Sequence, residues 1–149
     1  MLVHDYVAEE VARQGHNVQE LDGIERVGWM LNGWAYALMR AEVRPTTADA
    51  ILLGTEIEPR KNTGSRKVNV RVGMRLCPEW HQVKRLLAQL FENGELLTPI
   101  EFYKEFETIH PFVDGNGRTG KILLNWLNGT LLDPIFPPAD LFGKPIRNP

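Results

Sequence analysis

The sequence predicts a mainly α-helical bundle with one β-hairpin ahead of its last helices. Three observations predict it. Apolar residues recur at spacings of three and four over most of the chain, which places them on single helical faces. One stretch, centred on Asn62-Thr63-Gly64, breaks that rhythm and alternates with period two beyond the turn. Between the last two helical patterns stands HPFVDGNGRTGK, residues 110–121, too rich in glycine and charge to continue either helix.

Taken in order, residues 1–20 hold at most a short helix and are expected to be peripheral. In IERVGWMLNGWAYALMRAE, Ile24, Val27, Leu31, Trp34 and Leu38 form one apolar face, and Arg44-Pro45 stops the helix. Thr46 or Thr47 can cap ADAILLG, with Gly54 closing it. TEIEPRKNTGSRKVNVRVG then predicts a hairpin with a polar tip, because Val68, Val70 and Val72 alternate with Asn69 and Arg71. Pro78 opens a helix with Trp80, Val83, Leu87 and Leu90 on one face, ended by Asn93-Gly94. Thr98-Pro99 opens the next, whose face carries Ile100, Tyr103, Phe106 and Ile109, and His110-Pro111 breaks it. Ile122, Leu123, Trp126 and Leu127 belong to a buried last helix. Five of the ten prolines fall in residues 134–149, a Pro-rich tail expected to be extended.

Length and composition set bounds. A chain of 149 residues fits a single domain over 1–149. A net charge of −2 supplies no global attraction to nucleic acid or to a membrane. The single Cys77 excludes an internal disulfide and a paired-cysteine zinc site. His4, His16 and His81 have no metal-ligand spacing to one another. No apolar run approaches the roughly 20 residues needed to span a bilayer, and no basic-then-apolar signal opens the sequence, so a cytoplasmic location is expected.

The stretch at 110–121 carries the chemistry. Gly115, Gly117 and Gly120 let backbone approach a ligand without Cβ clashes. They feed a helix whose first amides lack internal partners and whose dipole is positive at that end, a site suited to a phosphate-like anion. Arg118 brings a fork of donors for phosphate oxygens. Asp114 is the single carboxylate that a Mg²⁺ ion shared with bound phosphates requires. An unperturbed imidazole titrates near neutrality, so His110 can act as a general base. Phe112 is expected to point into the core and pin the loop. Singly, each is an ordinary turn, cap or core residue; together they gather a base, a carboxylate, an anion nest and a guanidinium within nine residues.

HPFVDGNGR resembles the signature of Fic (Fido) domain proteins, His-Pro-Phe-x-Asp/Glu-Gly-Asn-Gly/Lys-Arg, at every fixed position from His110 to Arg118. The resemblance implies a Fic-type helical bundle with a hairpin flap before the signature helix-loop-helix. It implies a nucleotidyltransferase that moves AMP from ATP to a hydroxyl of a target protein (AMPylation), with self-modification as one outcome. His110 would take the hydroxyl proton, Asp114 would hold Mg²⁺, and Asn116 with the amides around Gly115 and Gly117 would stabilise charge on the α-phosphate. Arg118 and Lys121 would hold the outer phosphates, and Phe112 would anchor the loop. Glycine at 117, where Doc-like members have lysine, favours AMP transfer over phosphorylation. The flap, carrying Lys61, Asn62, Thr63, Gly64, Ser65, Arg66 and Lys67, would dock the target as an added strand. Its basic charge equally suits a solvated edge strand; a nucleic-acid surface is disfavoured because aromatics are not interleaved.

Two departures from the resemblance stand out. Many members have a second arginine where this chain has Lys121, which keeps the charge but loses the bidentate fork. The restraining motif Ser/Thr-x-x-x-Glu-Gly/Asn of many members is met only by a degenerate Asp22-Gly23, which otherwise serves as a helix cap. Weak or absent self-inhibition is expected. The alternative function is a Fic-fold nucleotide-binding module with little or no catalysis, or transfer of another phosphate-containing group.

Overall fold

The computed structural model describes residues 1–142, so residues 143–149 of the Pro-rich tail lie outside the described residues. The described residues form six α-helices: α1 Val3–Arg13, α2 Leu21–Met39, α3 Thr47–Ile57, α4 Val83–Asn93, α5 Pro99–Ile109 and α6 Asn116–Asn128. A short hairpin, β1 Arg71–Val72 and β2 Arg75–Leu76, sits between α3 and α4. The chain is thus mainly helical with one small antiparallel hairpin, as its sequence predicts. No helix of the described residues is long and apolar enough to cross a membrane.

Helix α6 is the centre of the bundle. Every residue from Asn116 to Trp126 is buried, and α5, α3 and α2 all pack against it. The helices that surround it start where side-chain chemistry makes them start. Thr46 and Asp49 form a reciprocal capping box at α3, and Thr98 with Glu101 forms another at α5, where Pro99 occupies the first turn.

Four expectations are corrected. Residues 1–20 are not peripheral: Tyr6, Val7 and Val11 of α1 are fully buried in the core, and the Tyr6 hydroxyl donates to the Ile135 carbonyl at 2.7 Å. The buried face of α2 is rotated from the predicted one and comprises Gly23, Arg26, Met30, Gly33, Trp34 and Ala37, leaving Ile24 exposed. Gly33 admits α3 and α6, Gly23 admits the Asn17–Val18 backbone, and Arg26 is paired inside with the buried Glu58 carboxylate. Gly54 does not close α3, which runs to Ile57; it makes room for the Phe112 ring, and a Cβ there would lie 2.2 Å from that ring. Finally, the hairpin turns at Gly73-Met74 rather than at Asn62-Thr63-Gly64. Gly73 supplies the positive φ of 58° that the tight turn needs, whereas the earlier segment is irregular and occupied elsewhere.

Gly54→Ala is expected to destabilise the protein by about 1–3 kcal/mol through overpacking against Phe112, although alanine is the better helix former. Urea denaturation checks it; an unchanged midpoint would mean that Phe112 has room to retreat.

Candidate active site in the loop between α5 and α6

Helix α5 ends abruptly. Pro111 disfavours helical geometry at the residue before it, and His110 adopts φ 51°, ψ 64°, the one non-glycine residue with positive φ among the described residues. The chain then turns inward. The Phe112 ring fills the slot over Gly54 and is fully buried. The Asn116 amide closes the loop from inside: its Oδ1 accepts from the Phe112 N–H at 2.8 Å and its Nδ2 donates to the Phe112 carbonyl at 2.9 Å. Asn116 thereby acts on the loop's shape, with both functions of its amide engaged by Phe112 backbone. Gly115, at φ 80°, is the N-cap of α6 and brings no side chain to the first-turn amides. Those amides remain as donors for an anion.

The segment expected to form the flap tip lies against this loop. Asn62 is buried and its Nδ2 donates to the carbonyls of Asp114 at 2.8 Å and Gly54 at 2.9 Å. Arg66 is buried too, and its guanidinium donates to the carbonyls of His110, Ile109, Val68 and Pro78. Both were expected on an exposed docking strip; burial instead makes them supports of the loop. Thr63, Gly64, Ser65 and Lys67 face the other way and help line a cavity of ≈ 420 Å³ with Ile51 and Leu87. Lys61 meets the loop at a carboxylate rather than a carbonyl: its Nζ lies 2.7 Å from Asp114 Oδ2.

His110 and Asp114 both have shifted titrations. Burial, with Arg75 and Arg66 nearby, lowers the pKa of His110 to about 4, against the smaller opposing effects of the Glu107 carbonyl and Asp114. The imidazole is 1 % exposed, and neither ring nitrogen makes a well-aligned hydrogen bond among the described residues. Desolvation would raise the pKa of Asp114, but Lys61, Arg118 and the Gly115 amide outweigh it and hold the carboxylate ionised below its usual range.

The cations of α6 are paired with buried carboxylates that sequence reasoning missed. Arg118 is fully buried; its Nη2 donates to Glu58 Oε1 at 3.0 Å and lies 3.5 Å from Asp114 Oδ1, while Nε and Nη1 have no partner among the described residues. Glu58 also receives the Nε of Arg26 at 2.6 Å. Lys121 lies 2.8 Å from Glu10 of α1 and donates to the Tyr103 hydroxyl at 3.3 Å. Asp22 pairs with neither Arg118 nor Lys121 among the described residues. Its carboxylate accepts from Arg26 and sits 2.8 Å from His16 Nδ1, while Gly23 packs against the Asn17 carbonyl. The Asp22–Lys121 pairing that the degenerate motif would require is absent, because Glu10 holds Lys121. Only the reach across the fold brings Glu10 and Glu58 in, and no local motif marks either.

A sequence model of the Fic/DOC family matches residues 45–128. "Protein adenylyltransferase Fic" of Nematostella vectensis is 43 % identical over 54 residues, which span 34 % of this chain and 12 % of that protein. The crystal structure of a Fic family protein from Desulfovibrio desulfuricans G20 superposes with a TM-score of 0.66 at 19 % identity, covering 85 % of this chain and 46 % of that one. The match therefore covers 12 % of the curated relative and just under half, 46 %, of the solved one.

Two outcomes test the site's electrostatics. Glu10→Ala strands the buried Lys121 charge and is expected to cost about 3–5 kcal/mol in urea denaturation. Because His110 has a lowered folded pKa, the unfolded chain binds more protons between about pH 4 and 6.5. The stability from its neutral ring is complete above that window and is lost as pH falls through it. His110→Gln should flatten the stability–pH curve there; a curve parallel to wild type would show that the ring is not desolvated.

Proposed function

Because the chain belongs to the Fic/DOC family, we propose that it transfers AMP from ATP to a hydroxyl side chain of a target protein, with His110 as the general base. The observation that carries this reading is the juxtaposition, in one hydrogen-bonded loop, of a buried imidazole and a helix N-terminus without a side-chain cap, backed by Arg118. The Nematostella vectensis protein's designation as an adenylyltransferase supports AMP as the group moved.

The chemistry divides among few residues. The target hydroxyl gives its proton to the His110 imidazole as its oxygen attacks the α-phosphorus; the bond to the β-phosphate oxygen breaks and pyrophosphate leaves. A lowered pKa keeps His110 unprotonated at neutral pH, ready to accept. The amides of Gly117 and Arg118 face developing phosphate charge without needing to reorganise, which is where most catalysis of this kind arises. Asn116 holds the loop in the shape that aims them. The Arg118 Nε and Nη1 groups are the donors left for outer phosphate oxygens. The target approaches past the hairpin, where Arg75 of β2 donates to the carbonyls of Thr108 and Glu107 beside His110.

Mg²⁺ fits this donor set. Asp114 is ionised and stands beside the phosphate-binding end of α6. No group of three metal-ligating His, Cys, Asp or Glu side chains gathers among the described residues, so the ion would take its other ligands from nucleotide and water. When bound, it supplies charge neutralisation at the phosphates.

One observation favours a second reading, a nucleotide-binding module with slow chemistry. Lys121 and Arg118 are already neutralised by Glu10 and Glu58. Incubation with labelled ATP separates the two readings. Label on a lysate protein or on the chain itself, reduced at least about a hundredfold in His110→Ala, supports transfer. Nucleotide binding without label across targets and nucleotides would overturn it in favour of the module. Arg118→Gln should raise KM for ATP by about tenfold or more.

A further inference from the structure

We propose that Lys61 is a substrate-binding residue: a mobile cation that pairs with Asp114 and transfers its ammonium to the phosphates of the incoming nucleotide, leaving the carboxylate to the metal. This rests on the nucleotide site proposed above, and it assigns to Lys61 a role different from target docking.

The cations of the site differ in freedom. Arg118 is fully buried and Lys121 nearly so; each faces a carboxylate that is itself fully buried. Turning Lys121 would strand Glu10 in the interior, which is costly, and Arg118 is enclosed on all sides and held to a carboxylate that it shares with Arg26. Lys61 keeps 48 % of its side chain exposed while its ammonium sits 2.7 Å from Asp114 Oδ2. It is therefore the one cation at the loop among the described residues that can move at little cost.

Its base is fixed, so the movement is confined to the side chain. The Lys61 and Asn62 amides both donate to the Glu58 carbonyl, at 3.1 and 2.9 Å. Asn62 is tied to Asp114 backbone from both sides of its amide, Nδ2 to the carbonyl at 2.8 Å and Oδ1 from the N–H at 3.4 Å. The stem of Lys61 thus starts beside Asp114, and four flexible methylenes let the ammonium swing from carboxylate to phosphate.

The arrangement of charges requires such an exchange. Asp114 Oδ1 is used by the Gly115 amide and approached by Arg118, so Oδ2 is the oxygen left to a metal, and Lys61 covers it. A lysine and a divalent cation cannot share one carboxylate oxygen without repulsion. A nucleotide arriving with its metal removes the conflict, because the phosphates offer Lys61 acceptors of equal charge.

The test is nucleotide binding, measured by calorimetry with ATP in EDTA and again with Mg²⁺, for wild type, Lys61→Met and Lys61→Arg. Mn²⁺ affinity in the presence of ADP is read by electron paramagnetic resonance. Lys61→Met is expected to weaken metal-free ATP binding by about tenfold or more and to tighten Mn²⁺ binding. Lys61→Arg should keep most of the ATP affinity, and all three chains should melt alike because the side chain is half exposed. Wild-type ATP binding that Lys61→Met leaves unchanged in EDTA would overturn this role alone. A wild type that binds no ATP in either buffer would overturn it together with the nucleotide site.

Discussion

The loop between α5 and α6 depends on one packing event: the Phe112 ring entering a slot that exists because residue 54 has no side chain. Burial of an aromatic ring is worth several kcal/mol relative to water. That free energy holds a segment whose backbone would otherwise be free, since three glycines in six residues resist ordering. With the ring seated, the Asn116 amide is brought to the Phe112 backbone, and α6 can begin at Gly115. The amides and the imidazole then inherit their positions from a hydrophobic contact that touches no substrate.

Charge is organised on the same principle of remote support. Each cation of α6 near the loop has a carboxylate delivered from another part of the chain: Glu58 from the end of α3 and Glu10 from α1. Such buried pairs add little net stability, because desolvation consumes most of the attraction. What they give is placement. Arg26 shares Glu58 with Arg118, so the α2, α3 and α6 helices meet at one carboxylate.

Much of this is legible in the sequence. The two capping boxes, the proline at the start of α5 and the burial of Phe112 come from residue chemistry at short range, and the signature at 110–118 points to the candidate site. The misses share a physical reason. Helix α1 reads as peripheral because Glu9 and Glu10 interrupt the apolar rhythm of Tyr6, Val7 and Val11, yet Glu10 is inside to meet a lysine. The α2 face reads in the wrong orientation because Gly23, Arg26 and Gly33 count as polar or neutral in a hydrophobic pattern but are buried by shape and charge. Asn62-Thr63-Gly64 has the composition of a turn tip, whereas Val72-Gly73 does not advertise one. Contacts between residues 60 positions apart, such as Glu58 with Arg118, leave no trace in local spacing.

Arg66 is a buried cation used purely as a donor. It gathers four carbonyls from three parts of the chain and has no carboxylate partner among the described residues. Carbonyl dipoles satisfy its hydrogens without cancelling its charge, so its field persists and falls on the imidazole next door. A neutral residue with enough donors could staple the same segments together, but the ring it left behind would be a readier proton acceptor and more often already protonated. The basicity of this histidine is therefore written partly in the mortar of the wall around it.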